Sequence, residues 1–239
     1  AATIEEAFEI CGTPAAFEYK YDGFRLLINK TGDTVTLFTR RLENVTAQFP
    51  DIVQAVQMYV KGSTFILDAE AVGYDPQRKV YKPFEAISQR IKRKHDVATL
   101  VKELPVEVNV FDVLFYEGKS TMLVPFKERR VLLEKLLLPK AWVLRASEFL
   151  VTDDLDTAEA FYQQALETGE EGIMVKNLEA TYQQGRRVGY MVKVKPEVRD
   201  IDLVIVGAEY GTGKRGGWLT SYIVACRDKG TFLEVGKVS

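Results

Sequence analysis

The feature that most constrains the fold is a change in hydrophobic pattern at Pro196. Before it, short segments that alternate apolar and polar residues are interleaved with segments whose apolar residues recur every three to four positions. The first pattern is typical of strands and the second of amphipathic helices. After Pro196, three apolar segments follow one another with only turn residues between them. The pattern therefore predicts an α+β domain followed by a small β-rich module.

The individual elements can be placed from the same patterns. Residues 15–30 predict one strand, and the turn Thr31–Asp33 returns the chain into 34–39 as a hairpin. The three strands after Pro196 are too few to close an OB-fold barrel, which needs five. The sequence further predicts helices at 51–60, 84–95, after Pro125 and at 155–167, and strands at 64–72, 106–116, 172–176 and 189–195.

Composition excludes several classes of site. The 239 residues are 46% hydrophobic and 28% charged, which is the balance of a globular protein with a sizeable core. His95 is the only histidine, so Ser-His-Asp triads and multi-histidine metal sites are excluded. Cys11 and Cys226 have no CxxC spacing, which indicates a reducing, intracellular environment. No apolar run of about 18 residues and no signal-peptide pattern is present, so no membrane association is expected.

The charge pattern carries a weaker signal. The net charge of −2 does not by itself indicate a nucleic-acid-binding protein. The basic residues are clustered, although each cluster alone is typical of a solvated surface. The clusters are Lys92 to Lys94, Arg186 with Arg187, Lys193 with Lys195, and Lys214 with Arg215.

The segment KYDGFR, from Lys20 to Arg25, is the first candidate for chemistry. A lysine inside an apolar strand is unusual because burying an ammonium group is costly unless it is paired or uncharged. An amine in surroundings that favour the uncharged form can act as a nucleophile. The alternative is a lysine at a strand end that reaches water, followed by an Asp-Gly turn.

Two further segments bring carboxylates. Asp68 and Glu70 are two positions apart in a strand and so share a face, where they could bind a metal ion or a hydroxyl group. The alternative is an edge strand with a solvated acidic face. Glu171 stands just before the strand 172–176 and is a third candidate.

The remaining candidates are an aromatic residue and a pair of cations. Phe111 lies in a long apolar strand, where it could belong to the core or stack on a base. Lys193 and Lys195 share one face of another strand, where a bound phosphate would relieve their repulsion. A basic surface stripe is the alternative for the two lysines.

Taken in order, these segments resemble the motifs of the covalent nucleotidyltransferases, and most closely those of ATP-dependent DNA ligases of the archaeal and eukaryotic type. The resemblance runs from about Glu18 to Ser239. KYDGFR resembles KxDGxR, in which the lysine is the nucleophile, and Tyr21 is the ligase form rather than that of mRNA capping enzymes. It implies catalytic roles for Lys20, Lys193 and Lys195, nucleotide contacts by Glu18, Arg25, Arg40, Glu70, Phe111, Lys193 and Lys195, and metal binding by Glu70 and Glu171.

The resemblance also implies a fold and an activity. The fold is a nucleotidyltransferase (ATP-grasp-like) domain of antiparallel sheets flanked by helices over 1–197, followed over 198–239 by the incomplete start of an OB-fold domain. The expected activity is DNA ligation through AMP bound covalently to Lys20, with ATP and Mg²⁺ as cofactors. Nicked double-stranded DNA is the expected partner, and flanking regions could contact a sliding clamp. The resemblance is compatible with a monomer in the cytoplasm or nucleoid.

Departures from the family pattern leave alternatives open. Met191 stands where the family often has an aromatic residue, and neither the DNA-encircling domain nor the RxPR motif of the family is found in the sequence. The chain is therefore expected to be a fragment of a longer protein. The alternatives are an RNA ligase or a capping-type nucleotidyltransferase, which share the chemistry, and a noncatalytic nick-binding module.

Overall fold

The computed structural model describes residues 3–93, 95–185, 190–196 and 201–239. The chain divides into two compact units, Ala1–Pro196 and Glu197–Ser239. None of the helices in the described part of the chain combines the length and the apolar character that crossing a lipid bilayer requires. The assignment of the two units to an adenylation domain and the start of an OB-fold stays a prediction.

The first unit mixes helices with mainly antiparallel strands, as predicted. The described helices are α1 (Ile4–Cys11), α2 (Pro50–Tyr59), α3 (Phe84–Lys92), α4 (Val97–Glu103), α5 (Phe126–Leu136) and α6 (Leu155–Glu167). The described strands are β1 (Ala15–Tyr19), β2 (Phe24–Thr31), β3 (Thr34–Thr39), β4 (Thr64–Asp75), β5 (Val80–Tyr81), β6 (Val106–Tyr116), β7 (Lys119–Ser120), β8 (Leu144–Ala146), β9 (Phe149–Thr152), β10 (Ile173–Asn177) and β11 (Met191–Val194).

Two sheets organise this unit. The larger sheet runs in the order β3-β2-β4-β6-β7, with β5 added to β4 and β8 paired in parallel with β6. The smaller sheet runs in the order β11-β10-β1-β9. The predicted hairpin is confirmed, because β2 and β3 pair antiparallel around a turn in which Gly32 adopts a φ of 58°.

Each sheet has its own hydrophobic core. In the larger sheet, Leu26, Leu67 and Val108 are fully buried and pack in one cluster with Val56 of α2 and Leu133 of α5. A second cluster joins the smaller sheet to helices α1 and α6. The apolar faces of the amphipathic helices therefore cover the two sheets, as the helical spacing of their apolar residues indicates.

The prediction of one strand over 15–30 is wrong, because the chain leaves the smaller sheet after Tyr19 and enters the larger sheet at Phe24. Gly23 allows this crossing. A Cβ atom at Gly23 would lie 2.4 Å from the carbonyl oxygen of Ala71 in β4, so only glycine fits so close to that strand. Lys20 therefore stands in a turn between the two sheets rather than in the middle of a strand.

The second unit is a single antiparallel sheet. Its strands β12 (Val204–Tyr210), β13 (Leu219–Asp228) and β14 (Thr231–Val238) follow one another in the sheet as they do in the chain. The predicted three-stranded module is thus confirmed as a sheet. Among its described residues, only Val224 and Ala225 are buried.

Candidate active site

The main chain of Lys20 is held by the segment that precedes β10. The Lys20 amide donates to the carbonyl oxygen of Gly172 at 2.9 Å, and the Lys20 carbonyl oxygen accepts from the amide of Glu171 at 3.0 Å. Gly172 adopts a φ of 138°, and a Cβ there would lie 2.2 Å from the carbonyl oxygen of Val194. The segment can approach the lysine this closely because residue 172 has no side chain.

The side chain of Lys20 is half-buried and contacts a carboxylate. Its Nζ atom forms an ion pair with Glu171, and the same Glu171 oxygen contacts Nζ of Lys195. Burial acts to raise the pKa of Glu171, but the hydrogen bonds from Lys195 and Lys20 outweigh it, so the pKa is lowered. Glu171 is therefore an ionised acid that links Lys20 and Lys195, two of the three predicted catalytic lysines.

Glu70 faces the same lysine from β4. Burial raises the pKa of the Glu70 carboxyl to about 8, although the charge of Lys20 acts in the opposite direction. The charge of Glu171 also acts on Glu70, so the two acids share one site. A strongly shifted acid beside a lysine in a cavity is typical of functional sites.

A cavity of about 170 Å³ opens beside Lys20. Phe111 of β6 is half-buried on its wall, and Nζ of Lys176 lies 5.1 Å from the centre of the Phe111 ring. The methionines Met174 and Met191 line the same cavity. A half-buried aromatic ring, two thioethers and a cation form a mainly apolar surface that suits a planar aromatic ligand.

Glu18 also lines this cavity and is only 2% exposed. Its carboxylate accepts from Nη1 of Arg130 at 3.2 Å and from Oγ of Ser147 at 2.9 Å, and it forms an ion pair with Lys176. A buried carboxylate with three such partners is rigidly oriented. It offers a fixed polar edge next to the apolar walls.

A larger cavity of about 900 Å³ shares Lys20, Glu70, Met174 and Met191 with the smaller one. Cationic residues dominate its charged lining, which comprises Lys20, Arg25, Arg40 and Lys193 with the single acid Glu70. A cleft lined by one sign of charge concentrates ligands of the opposite sign. The two adjoining cavities thus provide a mainly apolar compartment and a cationic one, with Lys20 where they meet.

Arg25 is bound to a buried acid rather than extended into the cleft. Its guanidinium donates to Asp68 through Nε at 2.8 Å and through Nη2 at 2.6 Å, and Nη2 also donates to the hydroxyl of Tyr182 at 2.6 Å. The hydrogen bonds with Asp68 raise the pKa of Arg25. Arg25 therefore presents only part of its positive charge to a ligand in the cleft.

The pairing of Asp68 corrects the interpretation of the Asp68–Glu70 pair as two equivalent ligands. Asp68 is fully buried and bound by Arg25, so only Glu70 of the pair lines the cleft. The alternative of a solvated edge strand is also wrong, because β4 lies between β2 and β6. A central strand has its backbone hydrogen bonds satisfied on both sides and leaves no acidic edge.

The eight other predicted site residues lie around Lys20. Glu18 and Phe111 line the smaller cavity, and Arg25, Arg40 and Lys193 line the larger one. Glu70 lines both, and Glu171 and Lys195 reach Lys20 through the shared ion pair. Of the predicted basic clusters, Lys94, Arg186 and Arg187 lie outside the described residues.

Sequence reasoning did not assign roles to Lys176, Met174 and Tyr182, although each contacts a predicted residue or lines a cavity. The alternation of side chains along a strand was a usable signal for Lys176. Met174 and Lys176 are two positions apart in β10 and therefore share a face. Tyr182 follows the last residue of β10 by five positions in an irregular segment, and its sequence context carries no comparable signal.

The donor set permits a magnesium ion but does not enclose one. Within the described ranges, no group of three or more Asp, Glu, His and Cys side chains could hold a metal. Mg²⁺ commonly takes only one or two protein carboxylates together with water and substrate phosphates. Glu70 and Glu171 match that requirement as a pair of hard oxygen donors beside a cationic cleft, and the charge of a bound Mg²⁺ would favour the ionised form of Glu70.

Comparison with known proteins decides the family. The family model described as the ATP dependent DNA ligase domain matches residues 1–195. The chain belongs to this family. It is 54% identical over 240 residues to a DNA ligase of Nanoarchaeum equitans (strain Kin4-M). The match covers 100% of this chain and 42% of that protein. A DNA ligase of Thermococcus onnurineus (strain NA1) is 40% identical with the same coverage.

Solved structures agree with this assignment to the ligase family. The mycobacterial DNA ligase D complexed with ATP and MES is 27% identical with a TM-score of 0.60, and the match covers 95% of this chain and 67% of that one. The α+β architecture described above is thus the architecture of ligase nucleotidyltransferase domains. The chain spans less than half the length of the two archaeal relatives.

Proposed function

We propose that the chain is the catalytic core of an ATP-dependent DNA ligase that carries AMP covalently on Lys20. One observation supports this more than any other. Lys20 stands where a mainly apolar cavity meets a cationic cleft, with an ionised glutamate in contact with its Nζ atom. That arrangement suits a nucleotide whose base lies on one side of the lysine and whose phosphates lie on the other.

In the first step the amine of Lys20 attacks the α-phosphorus of ATP. A nitrogen–phosphorus bond forms, the bond from the α-phosphorus to the bridging oxygen breaks, and pyrophosphate leaves with that electron pair. Glu171 contacts Nζ of Lys20 and accepts the proton that the amine loses. Lys193 and Lys195 stabilise the negative charge that develops on the phosphoryl oxygens.

The smaller cavity binds the base. The ring of Phe111 stacks on adenine, a contact worth about 1–3 kcal/mol per base. Glu18 accepts from the exocyclic amine, because its carboxylate lines the cavity and is held by Arg130, Ser147 and Lys176. Glu70 and Arg40 contact the ribose and phosphates from the cavity walls.

The second and third steps seal a nick. A 5′-phosphate oxygen of nicked DNA attacks the phosphorus of AMP and releases the Lys20 amine. The 3′-hydroxyl then attacks the activated 5′-phosphate, and AMP leaves. Glu70 and Glu171 would hold Mg²⁺, which neutralises phosphate charge and orients the in-line displacement when bound. The proposal includes a monomeric state and contact with a sliding clamp.

Two alternatives remain distinguishable by experiment. An RNA ligase or a capping-type enzyme would use the same lysine with a different acceptor or base. A noncatalytic nick-binding module would keep the fold without the reaction. The contact between Lys20 and Glu171 favours a reactive site, because a module that only binds DNA does not require a lysine paired with an acid beside a cavity.

The test is intact mass spectrometry after incubation with ATP and Mg²⁺, with GTP in parallel. We expect a gain of one AMP with ATP only, and loss of that gain in Lys20→Arg, which keeps the positive charge but removes the nucleophilic amine. Labelling with GTP would instead support a capping-type enzyme. Labelling that persists in Lys20→Arg would contradict the assignment of the nucleophile.

Transfer of the AMP to a nicked duplex with a 5′-phosphate then tests the acceptor. DNA should be adenylated and sealed, whereas an RNA substrate of the same sequence should react more slowly. A chain that binds nicked DNA but never gains AMP would favour the noncatalytic alternative.

A further inference from the structure

The loop after β3 presents a leucine to solvent in an unfavourable backbone conformation. Leu42 is 70% exposed and adopts a φ of 61°. Left-handed backbone angles are disfavoured for side chains other than glycine, asparagine and aspartate. An exposed leucine recovers little of this cost by burying apolar surface within its own fold. Strain of this kind is often retained where a side chain meets a ligand.

Hydrogen bonds fix the loop. Thr39 Oγ1 accepts from the amides of Arg41 and Glu43, each at 3.3 Å. The Leu42 amide donates to the Thr39 carbonyl oxygen at 2.8 Å, and the Thr39 amide donates to the Glu43 carbonyl oxygen at 3.0 Å. The backbone of Leu42 is therefore held in one conformation before any partner arrives. Such preorganisation lowers the entropy lost on binding.

The neighbours of Leu42 identify the kind of partner. Arg40 lines the same cationic cleft as Lys20, and Arg41 is exposed next to the leucine. A guanidinium group beside an exposed apolar side chain matches the surface of a DNA strand, where guanidinium groups bind phosphates and apolar residues pack on sugars and base edges.

We propose that Leu42 is an apolar contact for the DNA strand beside the active-site cleft, packed on a deoxyribose next to a phosphate bound by Arg41. This contact rests on the proposed ligase function. It assigns to the loop after β3 a role in holding DNA that is separate from the nucleotide contact of Arg40.

The test uses the whole chain after adenylation. It compares two substitutions of Leu42 with one substitution of another exposed leucine. Leu42→Asn removes the apolar contact and suits the backbone conformation better. Leu42→Met keeps an apolar side chain of similar size. Leu138→Asn is the matched control, because Leu138 is also an exposed leucine, at 44%, but follows helix α5 and lies outside the loop after β3.

Fluorescence anisotropy with a nicked duplex gives the affinity, and urea denaturation gives the stability. We expect Leu42→Asn to bind about five- to tenfold more weakly, as the loss of a partly buried leucine predicts, while its stability is equal or higher. Leu42→Met and Leu138→Asn should bind like the unaltered chain. The salt dependence of binding should be unchanged in Leu42→Asn and shallower in Arg41→Gln, which loses a phosphate contact.

Unchanged DNA affinity in Leu42→Asn would overturn the contact and direct attention to a protein partner for the loop. Equal losses in Leu42→Asn and Leu42→Met would also overturn it, because they would indicate a disturbed loop. Failure of the ligase proposal is distinguishable from both results: the unaltered chain would then gain no AMP at Lys20 or would bind no DNA.

Discussion

The amide of Glu171 donates to the carbonyl oxygen of Lys20 at 3.0 Å, and the Glu171 carboxylate contacts Nζ of the same lysine, although the residues are 151 positions apart. One residue thus holds both the backbone and the side chain of the proposed nucleophile. A hydrogen bond to the backbone fixes the position of the turn, and the ion pair fixes the direction of the amine. This arrangement makes the carboxylate of Glu171 separable from its backbone role by mutation.

Glu171→Gln should slow self-adenylation by about 10²–10⁴-fold, the usual contribution of a proton-accepting group. The amide side chain keeps the shape but loses the charge that pairs with Lys20 and Lys195. The rate is measured as AMP incorporation over time at saturating ATP. Glu167→Gln, an exposed position at the end of α6, is the control. Equal rates in the two variants would contradict the role of Glu171.

Phe111→Ala should weaken ATP binding by about 1–3 kcal/mol, because the substitution removes the stacking surface of the smaller cavity. Phe115→Ala is the matched control, since Phe115 is a half-buried phenylalanine of the same strand that lines neither cavity. Calorimetric ATP binding and thermal unfolding are measured for both. Loss of stability in Phe111→Ala with unchanged ATP affinity would show that the ring belongs to the core.

Gly23→Ala should destabilise the chain by about 1–3 kcal/mol and impair adenylation. The new Cβ would lie 2.4 Å from the carbonyl oxygen of Ala71, and backbone atoms cannot rotate away as a side chain can. Gly236→Ala is the control, because a Cβ there meets nothing within 4 Å. Urea denaturation and AMP labelling are the measurements. A Gly23→Ala chain with normal stability would show that the crossing between the sheets tolerates a side chain.

Glu170 gives a prediction for the dependence of stability on pH. It is only 5% exposed, and its Oε1 atom is among the buried polar atoms without a hydrogen-bond partner in the described part of the chain. Burial raises the pKa of Glu170 to about 8, while Arg145 and the amide of Asp22 act to lower it. The folded chain therefore holds a proton here that the unfolded chain, with its ordinary pKa of 4.5, has lost at neutral pH.

A raised pKa in the folded state means that folding takes up a proton, so this contribution to stability is lost as pH rises. The free energy of unfolding should fall between about pH 5 and about pH 8, by up to about 1.4 kcal/mol per pH unit for this one group. Glu170→Gln cannot ionise and should remove that part of the slope. Urea denaturation across this range compares the two chains. Parallel pH profiles would contradict the burial of a protonated Glu170.

Much of the secondary structure could be predicted from local pattern. Helix α6 begins at Leu155 and ends at Glu167 as predicted, because Asp154 accepts from the amide of Thr157 as an N-cap and Gly169 follows the last turn. The hairpin of β2 and β3 followed from alternation and a short turn. Such features depend on residues close together in the chain, so their signal is contained in the sequence itself.

The residues of the candidate site were also identified from the sequence, through motifs that place a lysine, acids and an aromatic residue in a characteristic order. Their pairing was decided by tertiary structure. Arg25 meets Asp68 across 43 positions and Glu18 meets Arg130 across 112, because sheet register and the packing of α5 bring them together. Local pattern placed Lys20 inside one strand, whereas the close approach of Gly23 to Ala71 turns the chain there. Sequence thus determined which chemical groups are available, and long-range packing decided which are buried, which are paired and which face the cleft, since desolvation and ion pairing depend on neighbours distant in the chain.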